Sequence, residues 1–189
     1  MRYYPAFLDL RGRPCVVVGG GAVAWRKAKA LIECGARVTV VSPDGTPALA
    51  ASARRGAVRW TRRRVKASDL TRAWLIVAAT NDPSVNRLAA RSGKLVNVVD
   101  QPALCTFIVP SIVRRGRLTI AISTAGDSPT VSKWIRQDLT ARYAPFGTVV
   151  SRMRRRRRAV HAQVQGMAPR RRRLEAALRE ELRRVGIAR

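Results

Sequence analysis

Acidic side chains are scarce in this chain: 11 Asp and Glu stand against 38 Lys and Arg, a formal net charge of +27. Such a balance favours anionic partners, whether nucleic acid, a membrane surface or a polyanionic small molecule, without choosing among them. The shortage is not confined to one end. Residues 151–189 carry 14 basic and three acidic side chains, and the first 150 carry 24 and eight. Histidine is almost absent, with His161 alone, and the three cysteines (Cys15, Cys34 and Cys105) form no CxxC pair or Cys/His cluster. That argues against a zinc site, so no metal ligands are expected, and it fits a reducing compartment. Aromatic residues make up only 5%. They are few for stacking bases, and no helix-turn-helix or RNP-type motif accompanies them, so nucleic acid is not the expected partner. No apolar run approaches the ~20 residues needed to cross a bilayer. The N-terminus MRYYPAFLDLRGRP lacks the apolar stretch of a signal peptide. A cytoplasmic protein without a membrane partner is expected.

What is present is a regular alternation of strand and helix. Cys15 to Val18 is a short β-branched run that reads as a buried strand, broken by Gly19, Gly20 and Gly21. Ala22 to Glu33 reads as a helix stopped at Gly35, and Arg37 to Val41 as the next strand, ended by Ser42-Pro43-Asp44-Gly45. This is a βαβ unit. A helix over Ala48 to Arg55, strands over Val58 to Arg62, Trp74 to Ala79 and Leu95 to Val99, and a helix from Pro83 to Arg91 continue the rhythm. The alternation predicts a parallel sheet covered on both faces. Beyond Pro102 the rhythm changes. Thr106 to Val113 and Leu118 to Ser123 read as strands around Arg115-Gly116, and Ser128-Pro129 opens a helix to Tyr143. Pro145-Phe146-Gly147 reads as a boundary. In the last segment Leu174, Leu178 and Leu182, with Glu175/Arg179 and Glu180/Arg184 one turn apart, predict an amphipathic helix. The expected fold is therefore α/β: a Rossmann-like parallel sheet over 1–110, a small α+β subdomain over 111–146 and a basic helical region over 147–189.

The sharpest motif is Gly19-x-Gly21-x-x-Ala24, which opens a helix directly after a strand. In that context it is the dinucleotide fingerprint. Gly19 allows the turn, Gly21 lets backbone approach the pyrophosphate, and Ala24 allows close helix–strand packing. The amides around Ala22 and Val23 would face phosphate at the positive end of the helix. An NAD site usually has an acid at the end of the second strand for the ribose. Here Ser42 and Pro43 occupy that end and the acid follows at Asp44, with no Arg placed for a 2′-phosphate. NAD is the expected cofactor, although Asp44 reads equally well as an ordinary Pro-Asp-Gly turn residue.

Several ordered stretches together resemble the precorrin-2 dehydrogenases and the N-terminal modules of sirohaem synthases. They are FLDLRGRPCVVVGGGAVAWRKA (7–28), GARVTVVSP (35–43), LIVAATNDPSVN (75–86), VNVVDQP (96–102), CTFIVPSIVRRGRLTIAISTAGDSP (105–129) and WIRQDL (134–139). The resemblance implies oxidation of precorrin-2 to sirohydrochlorin with NAD⁺ as acceptor, feeding sirohaem or cobalamin. It implies a homodimer built through the middle subdomain, and in some relatives insertion of Fe²⁺ at the same site. Two departures stand out: a shorter segment between Asn86 and Leu95, and an unusually arginine-rich C-terminal region.

The resemblance places the catalytic carboxylate at Asp100, and its position agrees. It ends a parallel strand, where open α/β sheets hold ligands. Position alone fits a turn-capping role before Pro102 equally well. Thr80 reads as a cofactor-edge residue or a helix cap. Arg114, Arg115, Lys133 and Arg136, with the amides at Ser128, are candidate contacts for a polycarboxylate substrate, against the plainer reading of solvated charges. His161 reads as exposed and Cys105 as an inert thiol. Two rival readings are ferrochelation at the same site and a non-enzymatic, NAD-sensing regulator that binds nucleic acid.

Overall fold

The computed structural model describes residues 2–93 and 95–187. The chain divides into two compact units, Met1–Val109 and Pro110–Arg189. The first holds strands β1 (Pro14–Val18), β2 (Arg37–Val41), β3 (Arg59–Thr61), β4 (Leu75–Ala78) and β5 (Val96–Val98). Between them run helices α1 (Ala22–Glu33), α2 (Pro47–Arg54), α3 (Ala67–Leu70) and α4 (Pro83–Ser92). All strand pairings are parallel, in the order β3-β2-β1-β4-β5. The chain starts at the centre of the sheet, winds outward through β3, then returns to the other side of β1. The reversal lies between β1 and β4, and Val18 pairs there with Val41 on one side and Ala78 on the other. Ligands of open α/β sheets bind in the crevice beyond the strand ends at such a reversal.

The unbroken apolar strands are explained by two core layers. Cys15, Val17, Val38, Val40, Leu75 and Val77 face one side, with Ala24 and Ala28 of α1 and Leu49 of α2. Val16, Val18, Val41, Ile76, Ala78, Val96 and Val98 face the other, with Leu70 of α3 and Ala89 of α4. Successive strand residues point to opposite faces, so burial of both favours apolar residues, although Asn97 of β5 is buried and polar. Each fully buried Val or Ile contributes about 1.5–3 kcal/mol.

In the second unit, β6 (Ser111–Arg115) and β7 (Leu118–Ile122) form an antiparallel ribbon, followed by α5 (Pro129–Arg142), α6 (Phe146–Gln163) and α7 (Met167–Arg184). Three helices start alike, with a polar cap followed by proline. Thr46 accepts from the Leu49 amide, Asp82 from Ser84 and Val85, and Ser128 from Val131. Helix α1 is different: its N-cap is Gly21, with no side-chain cap.

Several expectations are corrected. The strand expected over Thr106 to Val113 begins only at Ser111. Residues 106 and 107 instead lie along β5, where the Thr106 amide donates to the Val96 carbonyl and the Thr106 hydroxyl accepts from the Val96 amide. Helix α3 and a single 3₁₀ turn at Pro102–Leu104 were not expected. The Pro145-Phe146-Gly147 segment lies at the start of α6, with Pro145 as its N-cap. On α7 the buried positions are Ala177 and Glu181, while Leu178 is 38% exposed, so the buried line is not the leucine row. Glu175 hydrogen-bonds Arg171, not Arg179, whereas the Glu180–Arg184 pair forms as expected.

Candidate functional site

The turn after β1 is set by contacts at each glycine. Gly19 has φ +115°, and a Cβ there would lie 2.3 Å from the Ala79 carbonyl oxygen at the end of β4. Its amide donates to the Val41 carbonyl at 3.1 Å, so the turn is stitched to both neighbouring strands. A Cβ on Gly20 would fall 1.8 Å from the Asp44 carbonyl oxygen, and the Gly20 carbonyl accepts from the Thr46 amide at 3.0 Å. At Gly21 a Cβ would meet nothing within 4 Å. The protein itself demands the first two glycines, and only open space accounts for the third. The first amides of a helix have no intrahelical acceptor. With no side chain capping α1, those of Ala22 and Val23 could receive an anion. Ala24 is buried against the turn, 3.5 Å from the Gly19 Cβ position. The fingerprint spacing passes over Gly20; only the unbroken Gly-Gly-Gly run signals it.

The β2 end forms the neighbouring wall. Ser42 is buried, its carbonyl accepting from the Trp60 indole at 3.1 Å, while Pro43 and Asp44 are exposed. The Asp44 backbone packs on Gly20, and the residue is exposed. Thr80, after β4, does not cap α4; Asp82 does. The Thr80 hydroxyl accepts from the Asp82 amide, and its carbonyl accepts from the Asn86 side chain at 3.2 Å. Asn86 is 1% exposed, and its Oδ1 has no hydrogen-bond partner among the described residues. It holds the 80–82 turn from beneath, a role that nothing in its sequence context announces.

Asp100 follows β5 with φ +59°, in the left-handed region that few non-glycine residues adopt. Its carboxylate is exposed at the carboxyl edge of the sheet. Lys27 of α1 lies within the field of Asp100 and Cys105. Burial and the neighbouring Arg26 push its ammonium pKa down, and Asp100 and Cys105 act in the opposite direction. The Cys105 thiol is tied to backbone, at 3.1 Å from the Val98 amide and 3.2 Å from the Val98 carbonyl. His161 is exposed on α6. Among the described residues no group of three or more His, Cys, Asp or Glu side chains could hold a metal ion.

The basic candidates lie in the second unit. Arg114 and Arg115 alternate on β6 and so face opposite sides of the ribbon. The Arg115 guanidinium donates to the Thr140 carbonyl at 2.9 Å. Lys133 and Arg136 stand one turn apart on α5, exposed and half-buried. The Ser128 hydroxyl is engaged as the α5 cap.

Comparison with known proteins agrees with this geometry. Residues 6–111 match a family model described as "Putative NAD(P)-binding", and residues 115–142 match the sirohaem biosynthesis protein central model. Siroheme synthase of Methylobacillus flagellatus is 46% identical over 140 residues, 72% of this chain and 30% of that protein. Siroheme synthase of Neisseria meningitidis is 38% identical over 177 residues, 91% of this chain and 37% of its own length. The chain thus spans about a third of these relatives. The solved structure of SirC, precorrin-2 dehydrogenase, superposes with a TM-score of 0.82 at 30% identity, covering 97% of this chain and 99% of that one. No helix among the described residues is long and apolar enough to cross a membrane. A glycine turn shaped for a nicotinamide dinucleotide and matches along both units lead to one assignment: the chain belongs to the family of precorrin-2 dehydrogenases and the corresponding modules of sirohaem synthases.

Proposed function

We propose that this chain oxidises precorrin-2 to sirohydrochlorin in the cytoplasm, with NAD⁺ as hydride acceptor, on the way to sirohaem or a cobalt corrinoid. The observation that carries the reading is the Gly19–Gly21 turn at the β1/β4 reversal, with open space at Gly21 and an uncapped α1 behind it. Bound there, the nicotinamide supplies the hydride-accepting carbon. The amides of Ala22 and Val23 hold the pyrophosphate, while Ser42, Pro43 and Asp44 line the adenosine ribose. An acid at Asp44 favours an unphosphorylated 2′-hydroxyl, hence NAD over NADP. Thr80 bounds the cofactor on the β4 side.

Asp100 acts as the base that takes a proton from the macrocycle as its hydride leaves. Its exposure at the β5 end keeps the carboxylate within reach of a ligand beyond the sheet. Arg114, Lys133 and Arg136, with Ser128 at the head of α5, bind substrate carboxylates through charge-assisted hydrogen bonds. Arg115 faces the other side of the ribbon and is assigned separately below. The working division is 1–110 for the cofactor, 111–146 for dimerisation and 147–189 as a basic helical region. Exposed Ile112 (36%), Val131 (48%) and Trp134 (67%) support a homodimer through the middle segment.

The test is anaerobic incubation with precorrin-2 and either NAD⁺ or NADP⁺, following the sirohydrochlorin spectrum and reduced nicotinamide together. Nicotinamide-dependent product, faster with NAD⁺, is the expected result. A folded protein that binds NAD⁺ without turning over would overturn the dehydrogenase reading.

A further inference from the structure

Two hollows adjoin α6 and share Arg152 and Arg155. One, of about 420 Å³, is lined by Arg152, Arg155, Arg156 and Arg184 around Glu181. Apart from Arg155, its arginines are paired with carboxylates. Arg152 donates to Glu181 at 3.1 Å, Arg156 to Glu180 at 3.0 Å, and Arg184 pairs with both glutamates. The other, of about 410 Å³, lies between the β6–β7 turn and the first turns of α6. It is lined by Arg115, Thr148, Ser151, Arg152 and Arg155, and no carboxylate faces it.

The second hollow is built rather than incidental. Its floor is a close backbone crossing: a Cβ on Gly147 would come 2.8 Å from the Arg115 carbonyl oxygen, and Gly116 sits opposite with φ +57°. Arg115 is held by neutral acceptors, the Thr140 carbonyl at 2.9 Å and the Arg114 carbonyl at 3.2 Å. These fix the guanidinium without cancelling its charge. Arg155 forms no ion pair among the described residues. Nearby, Arg117 and then Arg158 push the Arg154 pKa down, as expected for cations drawn together with no anion between them. The cleft is thus lined by two held guanidiniums (Arg115 and Arg152), one unpaired (Arg155) and the Thr148 hydroxyl, with no carboxylate among its lining residues. Planar guanidinium forks suit phosphate and carboxylate oxygens.

We propose that the cleft between the β6–β7 turn and the start of α6 binds a compact polyanion, a small ligand bearing at least two phosphate or carboxylate groups. The site lies wholly within the second unit, and it stands whether or not the dehydrogenase reading holds.

The test uses the full isotope-labelled chain in about 150 mM salt, where the screening length is ~8 Å and diffuse attraction is weak. Pyrophosphate and citrate are titrated separately, with affinities from calorimetry and amide shifts read by residue. The comparison is Arg155→Gln against Arg157→Gln, an equal loss of charge on the same helix but outside the cleft. Expected are shifts confined to residues 115–117 and 147–155, about tenfold weaker binding for Arg155→Gln and less than twofold for Arg157→Gln. Tighter binding of one probe in this pattern supports the site and names phosphate or carboxylate as its chemistry. Equal weakening in both variants would reduce the effect to general positive charge and overturn the proposal. So would no binding at millimolar concentrations by a wild type whose spectrum shows it folded.

Discussion

Gly20 and the Asp44 carbonyl are in contact so close that any side chain on Gly20 would sit 1.8 Å from that oxygen. One step along, the space at Gly21 is empty for 4 Å. Adjacent glycines therefore answer to different constraints, one internal to the fold and one external to it. Gly20→Ala is expected to destabilise the first unit by about 1–3 kcal/mol, the usual cost of overpacking. Gly21→Ala has an ordinary φ of −71° to occupy, so it should leave the unfolding midpoint nearly unchanged. It should weaken NAD⁺ binding tenfold or more, because its methyl fills the room left for pyrophosphate. Denaturant unfolding and NAD⁺ calorimetry on the two variants separate the effects; equal stability losses would sink the distinction.

At Asp100 the backbone and the side chain can be tested apart. With φ +59°, the residue carries a left-handed strain that glycine would relieve and alanine would not. Asp100→Gly should be as stable as wild type or slightly more so, and Asp100→Ala less stable by about 1 kcal/mol. Both should lose most precorrin-2 turnover if the carboxylate is the base. Activity retained in the glycine variant would show that the turn alone matters.

Glu181 anchors α7 on α6. Burial raises its pKa, but Arg152, Arg184 and Arg156 outweigh burial and hold the carboxyl below its usual value. A depressed folded pKa stabilises above the unfolded value of 4.5, and that stabilisation is lost as pH falls through the folded one. Asp69, lowered to about 2 chiefly by the Arg63 hydrogen bond, adds a similar loss below pH 3.8 in the first unit. Helix content and thermal midpoint should therefore hold from neutral pH down to about 4.5 and then decline. Glu181→Gln should lower the midpoint at pH 7 and flatten the acid limb. An unchanged limb in that variant would remove Glu181 from the account.

Cys15 should be the last of the three thiols to react. Burial in β1, with a smaller contribution from Cys34, raises its pKa to about 11. At pH 8 almost none is thiolate, the reactive form. Timed labelling of native protein with a disulfide reagent, read by mass spectrometry, should leave Cys15 unmodified until unfolding. Early labelling at Cys15 would contradict its burial.

The proposed dimer rests on exposed apolar residues of the middle segment. Trp134→Glu adds charge to a side chain that is 67% exposed, so it should not disturb folding of one chain. In light scattering it should shift the protein toward monomer at micromolar concentration. A monomeric wild type, or a variant that assembles as well as wild type, would remove α5 from the interface.

The β1–α1–β2 unit was legible because its signals are local. A β-branched run, a glycine turn and an apolar helix are decided within a few residues, and α1 and β2 have the expected ends, Ala22–Glu33 and Arg37–Val41. Asp82, Thr46 and Ser128 illustrate the limit. Each precedes a proline in the same way, yet whether Thr80 or Asp82 capped α4 depended on which hydroxyl or carboxylate the folded turn brought to the amides.

The amino-acid order by itself determined the parallel sheet, the fingerprint turn and the place of Asp100 at a strand end. Periodicity and glycine placement act along the chain and need no partner to be read. Only the tertiary structure decided that Gly20 is required by Asp44, that Arg114 and Arg115 part company and that α7 buries Glu181 instead of Leu178. Those facts depend on which distant residue arrives within contact distance. In a chain with 38 basic side chains, charge alone cannot tell a paired arginine from one left free in a cleft.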